Sequence, residues 1–420
     1  MYIRDISIKN FKAYKSCELV LNEGPNLLIG DNGVGKTSAL SAISNLLACI
    51  INYLSTDAEF KILPEDVNMD ITPGGESVID IKYNYPVVIS GNICGIDSKF
   101  SATVSRNENL GLQIDSQMSE QKILEMCNGR YPIFSFQKFD REWKTPDYIG
   151  ENKVVVQTGM MDRMEGYKGC LYGTETEDKI QQWCLKMSIM EYEKRGTIKE
   201  FRTFQNIIKR FMQVIEDTEE DFKVSYSMKL SSLVYETESK SIPLYELSTG
   251  YRALLAMIME LAYRTVILNP DISENLEDLS GVVLIDEVDA HLHPKWQWSI
   301  LDALHTVFPK VQFIIGTHSP IVISSAKNAR IIALNKDEEV KYLDSAYGFS
   351  IGDVLTLRQG SIDMPEESKR FYSLLENAID EADMKRAQLV LSQAKEVYGD
   401  TSAFYRELKQ YYDLNCLIED

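Results

Sequence analysis

Gly30-Asp31-Asn32-Gly33-Val34-Gly35-Lys36-Thr37 fits the pattern G-x-x-x-x-G-K-[ST] at every defined position. The apolar run Asn26-Leu27-Leu28-Ile29 before it reads as a strand, and residues 38–47 after it read as a helix. That strand–loop–helix setting is what the pattern needs to grip a phosphate. Its glycines let the backbone close with N–H groups turned inward, at a helix start that already favours anions. Asn32, Gly33, Gly35 and Ser38 belong to this cradle, Lys36 is expected to reach the β/γ-phosphates, and Thr37 to hold Mg²⁺. A second stretch, Val282-Val283-Leu284-Ile285-Asp286-Glu287, reads as a buried strand ending in two acids. Asp286 is expected to complete the metal shell and Glu287 to polarise a water. Together the two stretches imply ATP and Mg²⁺ as cofactors.

The chain has 420 residues, enough for one large domain with insertions or for two domains. A hydrophobic content of 44% and a charged content of 25% are ordinary for a soluble globular protein. The net charge of −19 argues against a broad nucleic-acid surface, because phosphate binding needs concentrated Lys and Arg. The acidic runs at 216–221 and 271–278 read as solvated faces. Seven cysteines without a C-x-x-C pair suggest a reduced, cytoplasmic protein with no disulfide framework or structural zinc. The first residues do not resemble a signal peptide. The longest apolar stretch, 39–54, carries Ser41, Ser44, Asn45 and Asn52 and reads as a core helix, shorter than the ~20 residues of a membrane span.

Residues 2–8, 17–21 and 26–29 read as strands, 75–115 alternate in a β manner, and 131–136 form another strand. Residues 176–215 carry a helical apolar stripe, 222–245 return to strands, and 249–268 form a long helix stopped by Asn269-Pro270. Strand and helix then alternate through 334, which predicts a parallel sheet. The tail over 366–417 reads as three helices with breaks near Glu381 and Gly399. The division expected is an ATPase head from 1–55 and 246–345, an insertion with a β lobe and helical spur over 56–245, and a helical tail over 346–420.

Three further motifs lie in order: Leu247-Ser248-Thr249-Gly250-Tyr251-Arg252, Val288-Asp289-Ala290, and Gly316-Thr317-His318-Ser319-Pro320. With the two stretches above, the set resembles the ABC-type ATPase heads of the SMC, RecF and OLD families, and Ile6-Ser7-Ile8-Lys9-Asn10-Phe11-Lys12 resembles their first strand. The resemblance implies an α/β fold, an ABC-type head with a mixed sheet flanked by helices. It also implies that Ser248 and Gly250 act on the phosphate held by another subunit, so that the protein self-associates through composite sites. Asp289 would lie at the seam, and His318 would contact the γ-phosphate. A narrower resemblance, carried by the residues from Gly281 to Gln297, by Phe308-Pro309-Lys310-Val311-Gln312-Phe313-Ile314 and by Gly250-Tyr251-Arg252-Ala253-Leu254-Leu255-Ala256-Met257, is to the PtuA-like ATPases of Septu and retron-linked antiphage systems. It implies an HNH-type nuclease as partner, with nucleic acid reached through that partner. Two other readings stay open: a RecF-like repair ATPase binding DNA directly, and a nucleotide-bound scaffold with little turnover.

Gln137, at a strand end, is the candidate glutamine joining Mg²⁺ to the helical lobe. His291, His293 and His305 lack a third ligand at metal spacing and read as structural. Trp296 and Trp298 read as packing residues, and Lys12 as a surface lysine. The tail aromatics Phe371, Tyr372, Phe404, Tyr405, Tyr411 and Tyr412 either dock a partner or pack the tail onto the head.

Overall fold

The computed structural model describes residues 1–55, 62–73, 79–96, 98–108, 111–116, 118–138, 162–172, 176–272, 276–335, 339–357, 365–381, 383–400 and 402–416. Parts of the expected insertion (139–161) and of the acidic run at 271–278 (273–275) lie outside them. The chain divides into two compact units, Met1–Ile351 and Gly352–Asp420.

In the first unit, β1 (Tyr2–Phe11) and β2 (Tyr14–Val20) pair as a hairpin. β3 (Asn26–Ile29) leads through the phosphate loop into α1 (Lys36–Leu54). β4 (Met69–Pro73) and β5 (Ile79–Tyr83) form a separate two-stranded sheet. β6 (Val87–Gly95), β7 (Ser98–Asn107) and β8 (Gly111–Ser116) follow, then α2 (Glu120–Met126) and β9 (Ile133–Gln137). α3 (Thr176–Lys194) and α4 (Lys199–Glu216) precede a three-stranded sheet of β10 (Lys223–Ser227), β11 (Ser232–Glu236) and β12 (Ser241–Pro243). α5 (Thr249–Leu268), β13 (Ser280–Ile285), α6 (Pro294–Val307), β14 (Lys310–Gly316), α7 (Pro320–Ser325), β15 (Arg330–Leu334) and β16 (Val340–Leu343) complete the unit.

Two main sheets result. One is antiparallel, in the order β2-β1-β6-β7-β8. The alternating burial of β6 marks it as having one face on the core. The other has the order β16-β15-β3-β14-β13-β9, parallel except for the β15–β16 pair, as the strand–helix alternation predicts. β3, β13 and β9 are buried along their whole length, as parallel strands covered on both faces are. α1 packs against strands of both sheets. By length and composition α1 would also cross a membrane, but it is mostly buried inside the fold, as the core helix of a globular unit is.

The expected insertion is not a separate body at the level of sheets. β6 pairs directly with β1, and β9 pairs with β13, so residues 87–137 complete sheets begun by the head itself. Gln312 ties the two sheets: its Oε1 accepts from Ile3 N at 2.8 Å, and its Nε2 donates to the carbonyls of Ile3 (2.8 Å) and Asn22 (2.6 Å).

The second unit holds α8 (Ile351–Leu357, starting at the boundary), α9 (Glu366–Asp380), α10 (Met384–Tyr398) and α11 (Ala403–Cys416). Leu375, Ala378, Ala387, Val390, Ala394 and Leu408 make its own core. Phe371, Tyr372, Phe404, Tyr405, Tyr411 and Tyr412 are half-buried against that internal core, with edge contacts such as Tyr372–Phe404 at 5.5 Å.

Candidate active site

Four neighbouring strands of the core sheet, β3, β14, β13 and β9, run parallel, so their carboxyl ends share one edge. Ligand sites in α/β sheets form at such edges. The register places Gln137 opposite Ile285, and Asp286 N donates to Gln137 O at 2.8 Å. Thr317 N donates to Leu28 O at 3.2 Å. The phosphate loop, the acidic pair, the glutamine and the loop carrying His318 are thereby brought to one place.

Gly35 caps α1 in the left-handed region at φ 107, and a Cβ there would stand 2.7 Å from the Tyr14 hydroxyl. Only glycine fits, and the helix therefore opens at Lys36, two residues earlier than the sequence suggested. Lys36 Nζ donates to the carbonyls of Gly30 (2.8 Å) and Asp31 (3.0 Å). Burial pushes the Lys36 pKa below the ordinary lysine value, while the carboxylates of Asp286, Glu287, Asp31 and Asp289 oppose that shift. Asn32, Gly33 and Thr37 are exposed, and Ser38 is half-buried in the first turn of α1.

Thr37 Oγ1 donates to Asp286 Oδ2 at 2.8 Å. Gln137, 2% exposed, donates from Nε2 to the Met257 carbonyl on α5 at 3.2 Å. Its Oε1 is buried and meets no hydrogen-bond donor among the described residues. A buried acceptor left unpaired is costly unless another positive group answers it. Hydroxyl, carboxylate and amide oxygens are the hard donors that Mg²⁺ takes, so Thr37, Asp286 and Gln137 fit that ion.

Glu287 has φ 51, a left-handed conformation rare for a non-glycine residue and concentrated at functional sites. The Thr317 hydroxyl donates to Asp289 Oδ1. His318 is half-buried. Burial lowers its pKa below the ordinary histidine value, the charge of Lys36 lowers it further, and Asp289, Glu287 and Asp31 pull the other way.

Ser248 caps α5, accepting from Tyr251 N at 3.4 Å. Gly250 has a packing role within the chain, since a Cβ there would meet His291 O at 2.7 Å and the Trp296 ring at 3.1 Å. Trp296 packs edge-on against Tyr251 at 4.8 Å, while Trp298 is 44% exposed. His293 caps α6 through Nδ1, and Lys12 pairs with Asp66 at 3.2 Å. His305 lies exposed in the last turn of α6.

The sequence reading missed several polar groups. Ser319 Oγ donates to Gln297 Oε1 at 2.6 Å, and both residues lie inside quoted motifs in which neither was given a role. Glu260 accepts from Ser135 Oγ (3.0 Å) and from the buried Arg264 Nε (2.9 Å), fastening α5 to β9 beside Gln137. Their signal was faint: an i,i+4 Glu–Arg pair on an otherwise apolar helix.

A family model described as an AAA ATPase domain matches residues 1–238 and 174–323. The chain is 26% identical over 464 aligned positions to the retron Vc95 probable ATPase of Vibrio cholerae serotype O1 biovar El Tor, spanning 94% of this chain and 86% of that protein. It is 25% identical over 402 positions to the retron Ec83 probable ATPase of Escherichia coli, spanning 81% and 72%. It is 24% identical over 439 positions to the Septu protein PtuA of Bacillus mycoides, spanning 98% of this chain and 52% of that one.

Proposed function

The chain belongs to the AAA ATPase domain family and is an ATPase, and from that premise we propose that it binds ATP over residues 30–37 and hydrolyses it with a water oriented by Glu287. Lys36 neutralises the β/γ-phosphates. Thr37, Asp286 and Gln137 would hold Mg²⁺, which when bound offsets charge on the transferring phosphoryl group. His318, whose pKa burial and the Lys36 charge lower from the ordinary histidine value, hydrogen-bonds the γ-phosphate. Ser248 and Gly250 of a second copy close over the nucleotide, with Asp289 at the seam between them. The observation that carries this reading is the Thr37–Asp286 hydrogen bond beside the unanswered Gln137 Oε1. Calorimetry and phosphate release on Lys36→Ala and Glu287→Gln test it. The first variant should lose ATP binding; the second should bind ATP, fail to turn it over and accumulate as a closed dimer. Unchanged binding in Lys36→Ala, or wild-type turnover in Glu287→Gln, overturns it.

The output we infer is control of an HNH-type nuclease partner in antiphage defence. The likeness to retron and Septu proteins supports this. So does the net charge of −19, an excess of 63 acidic over 44 basic residues that opposes a broad contact with a DNA backbone and favours contact through a partner. Purified alone, the chain should cleave no DNA, and cleavage should appear with a co-expressed nuclease encoded beside it. Cleavage by the chain alone, abolished by a substitution within it, overturns the partner reading.

A further inference from the structure

The loop between β14 and α7 is fastened on both sides of His318. On one side Thr317, fully buried, donates to Asp289 Oδ1 and accepts from Ser319 N at 3.0 Å. On the other, Ser319 accepts from Ile321 N (3.1 Å) and Val322 N (3.2 Å), so its hydroxyl hydrogen has one remaining direction, toward Gln297 Oε1 at 2.6 Å. Gln297 belongs to the first turns of α6. Its Nε2 donates to Leu292 O at 2.9 Å, and Leu292 N donates to Asp289 O at 3.1 Å. The hydrogen bonds therefore form a closed ring through Asp289, Thr317, Ser319, Gln297 and Leu292, with His318 on its rim.

We propose that Gln297 is a positioning residue for His318, acting through the Ser319 hydroxyl. The reading rests on His318 contacting the γ-phosphate. Gln297 uses both ends of its amide at once, accepting from Ser319 and donating to the backbone after Asp289. No carboxylate or apolar side chain of that length can do both. Release of the Ser319 side removes one of the two fastenings that flank His318 in its loop, and a displacement of an ångström at a reacting centre costs catalysis far more than it costs binding. The ring also joins His318 to Asp289, so movement of the Asp289 segment is carried to the histidine through two side chains.

The test is steady-state ATP hydrolysis by the full chain carrying Gln297→Met, Ser319→Ala, His318→Ala and the paired combinations. Gln297→Met should lower kcat about tenfold with KM within about twofold, the pattern of a lost transition-state interaction. Ser319→Ala should match it, and the two together should lose no more than either alone. In the His318→Ala background Gln297→Met should cost nothing further, because the residue it positions is gone. A wild-type kcat in Gln297→Met and Ser319→Ala while His318→Ala is impaired overturns the positioning role and leaves the site reading intact. The same fall from Gln297→Met with and without His318 also overturns it, since the effect would then travel elsewhere. A wild-type kcat in His318→Ala itself overturns the reading of the histidine and this proposal with it.

Discussion

Thr37 Oγ1 and Asp286 Oδ2 meet at 2.8 Å although they sit 249 positions apart in the chain. The contact exists because β3 and β13 flank β14 in one parallel sheet and end at the same edge. Replacing Thr37 by Val, or Asp286 by Asn, removes an oxygen donor or its charge without changing side-chain size much. Each variant should raise the Mg²⁺ concentration for half-maximal ATP hydrolysis by at least about tenfold, the equivalent of one lost charge-assisted bond at ~1.5 kcal/mol. An unaltered Mg²⁺ dependence in a titration of phosphate release would remove both residues from the metal shell.

The environment of His318 sets a direction for its titration. Burial and the Lys36 charge both lower its pKa, so in NMR titrations the imidazole should titrate below the free value of about 6.5. Lys36→Ala removes a like charge and some crowding, and both changes move the midpoint upward. For stability the sign is that of a depressed group: the unfolded chain binds the proton first as pH falls. The contribution of His318 is thus present above about pH 6.5 and lost progressively on acidification below it. A midpoint that does not rise in Lys36→Ala would separate the two side chains.

Composite sites predict a complementation result. Ser248→Arg should spare ATP binding and block closure, at a cost of ~1 kcal/mol for the lost cap on α5. In a dimer with one Ser248→Arg chain and one Lys36→Ala chain, one site keeps both residues and the other has neither. Equal mixing yields mixed dimers in half the population, so roughly a quarter of wild-type turnover should return for a twofold-symmetric pair. No recovery in verified mixed dimers would count against sites shared between copies.

Gly250 should matter even without a second copy. A methyl group there would press on the His291 carbonyl at 2.7 Å, and overpacking of this kind costs about 1–3 kcal/mol. Gly250→Ala should therefore lower the melting temperature of the nucleotide-free protein. Unchanged melting would leave Gly250 with a purely intermolecular task.

Local signals were legible and long-range ones were not. α5 covers the expected 249–268 and stops at Asn269-Pro270, because a breaker is short-range chemistry. The phosphate loop, the acidic strand and the His318 loop were each visible as motifs, and the parallel sheet then accounts for their convergence. The sequence did not reveal that β6 would pair with β1, since nothing in alternation names a partner strand. Gln137 stood out only as a glutamine at a strand end, and nothing local showed that β9 would lie beside β13. The tail aromatics were ambiguous for a different reason. An amphipathic stripe fits internal packing as well as docking, and here Phe404 contacts both Tyr372 and Tyr398.

The placement of β3 between β14 and β15 has a consequence during synthesis. The strand that carries the phosphate loop leaves the ribosome well before its ladder neighbours, which occupy residues 310–316 and 330–334. At the usual 5–20 residues per second, about 15–60 s pass before those neighbours exist. Through that interval the nascent chain holds an unpaired strand and an α1 whose β13 and β14 covering is still untranslated, the conditions under which strands find the wrong partners. Expression of this protein is therefore expected to respond to what shields β3 and α1 while the residues after them are made.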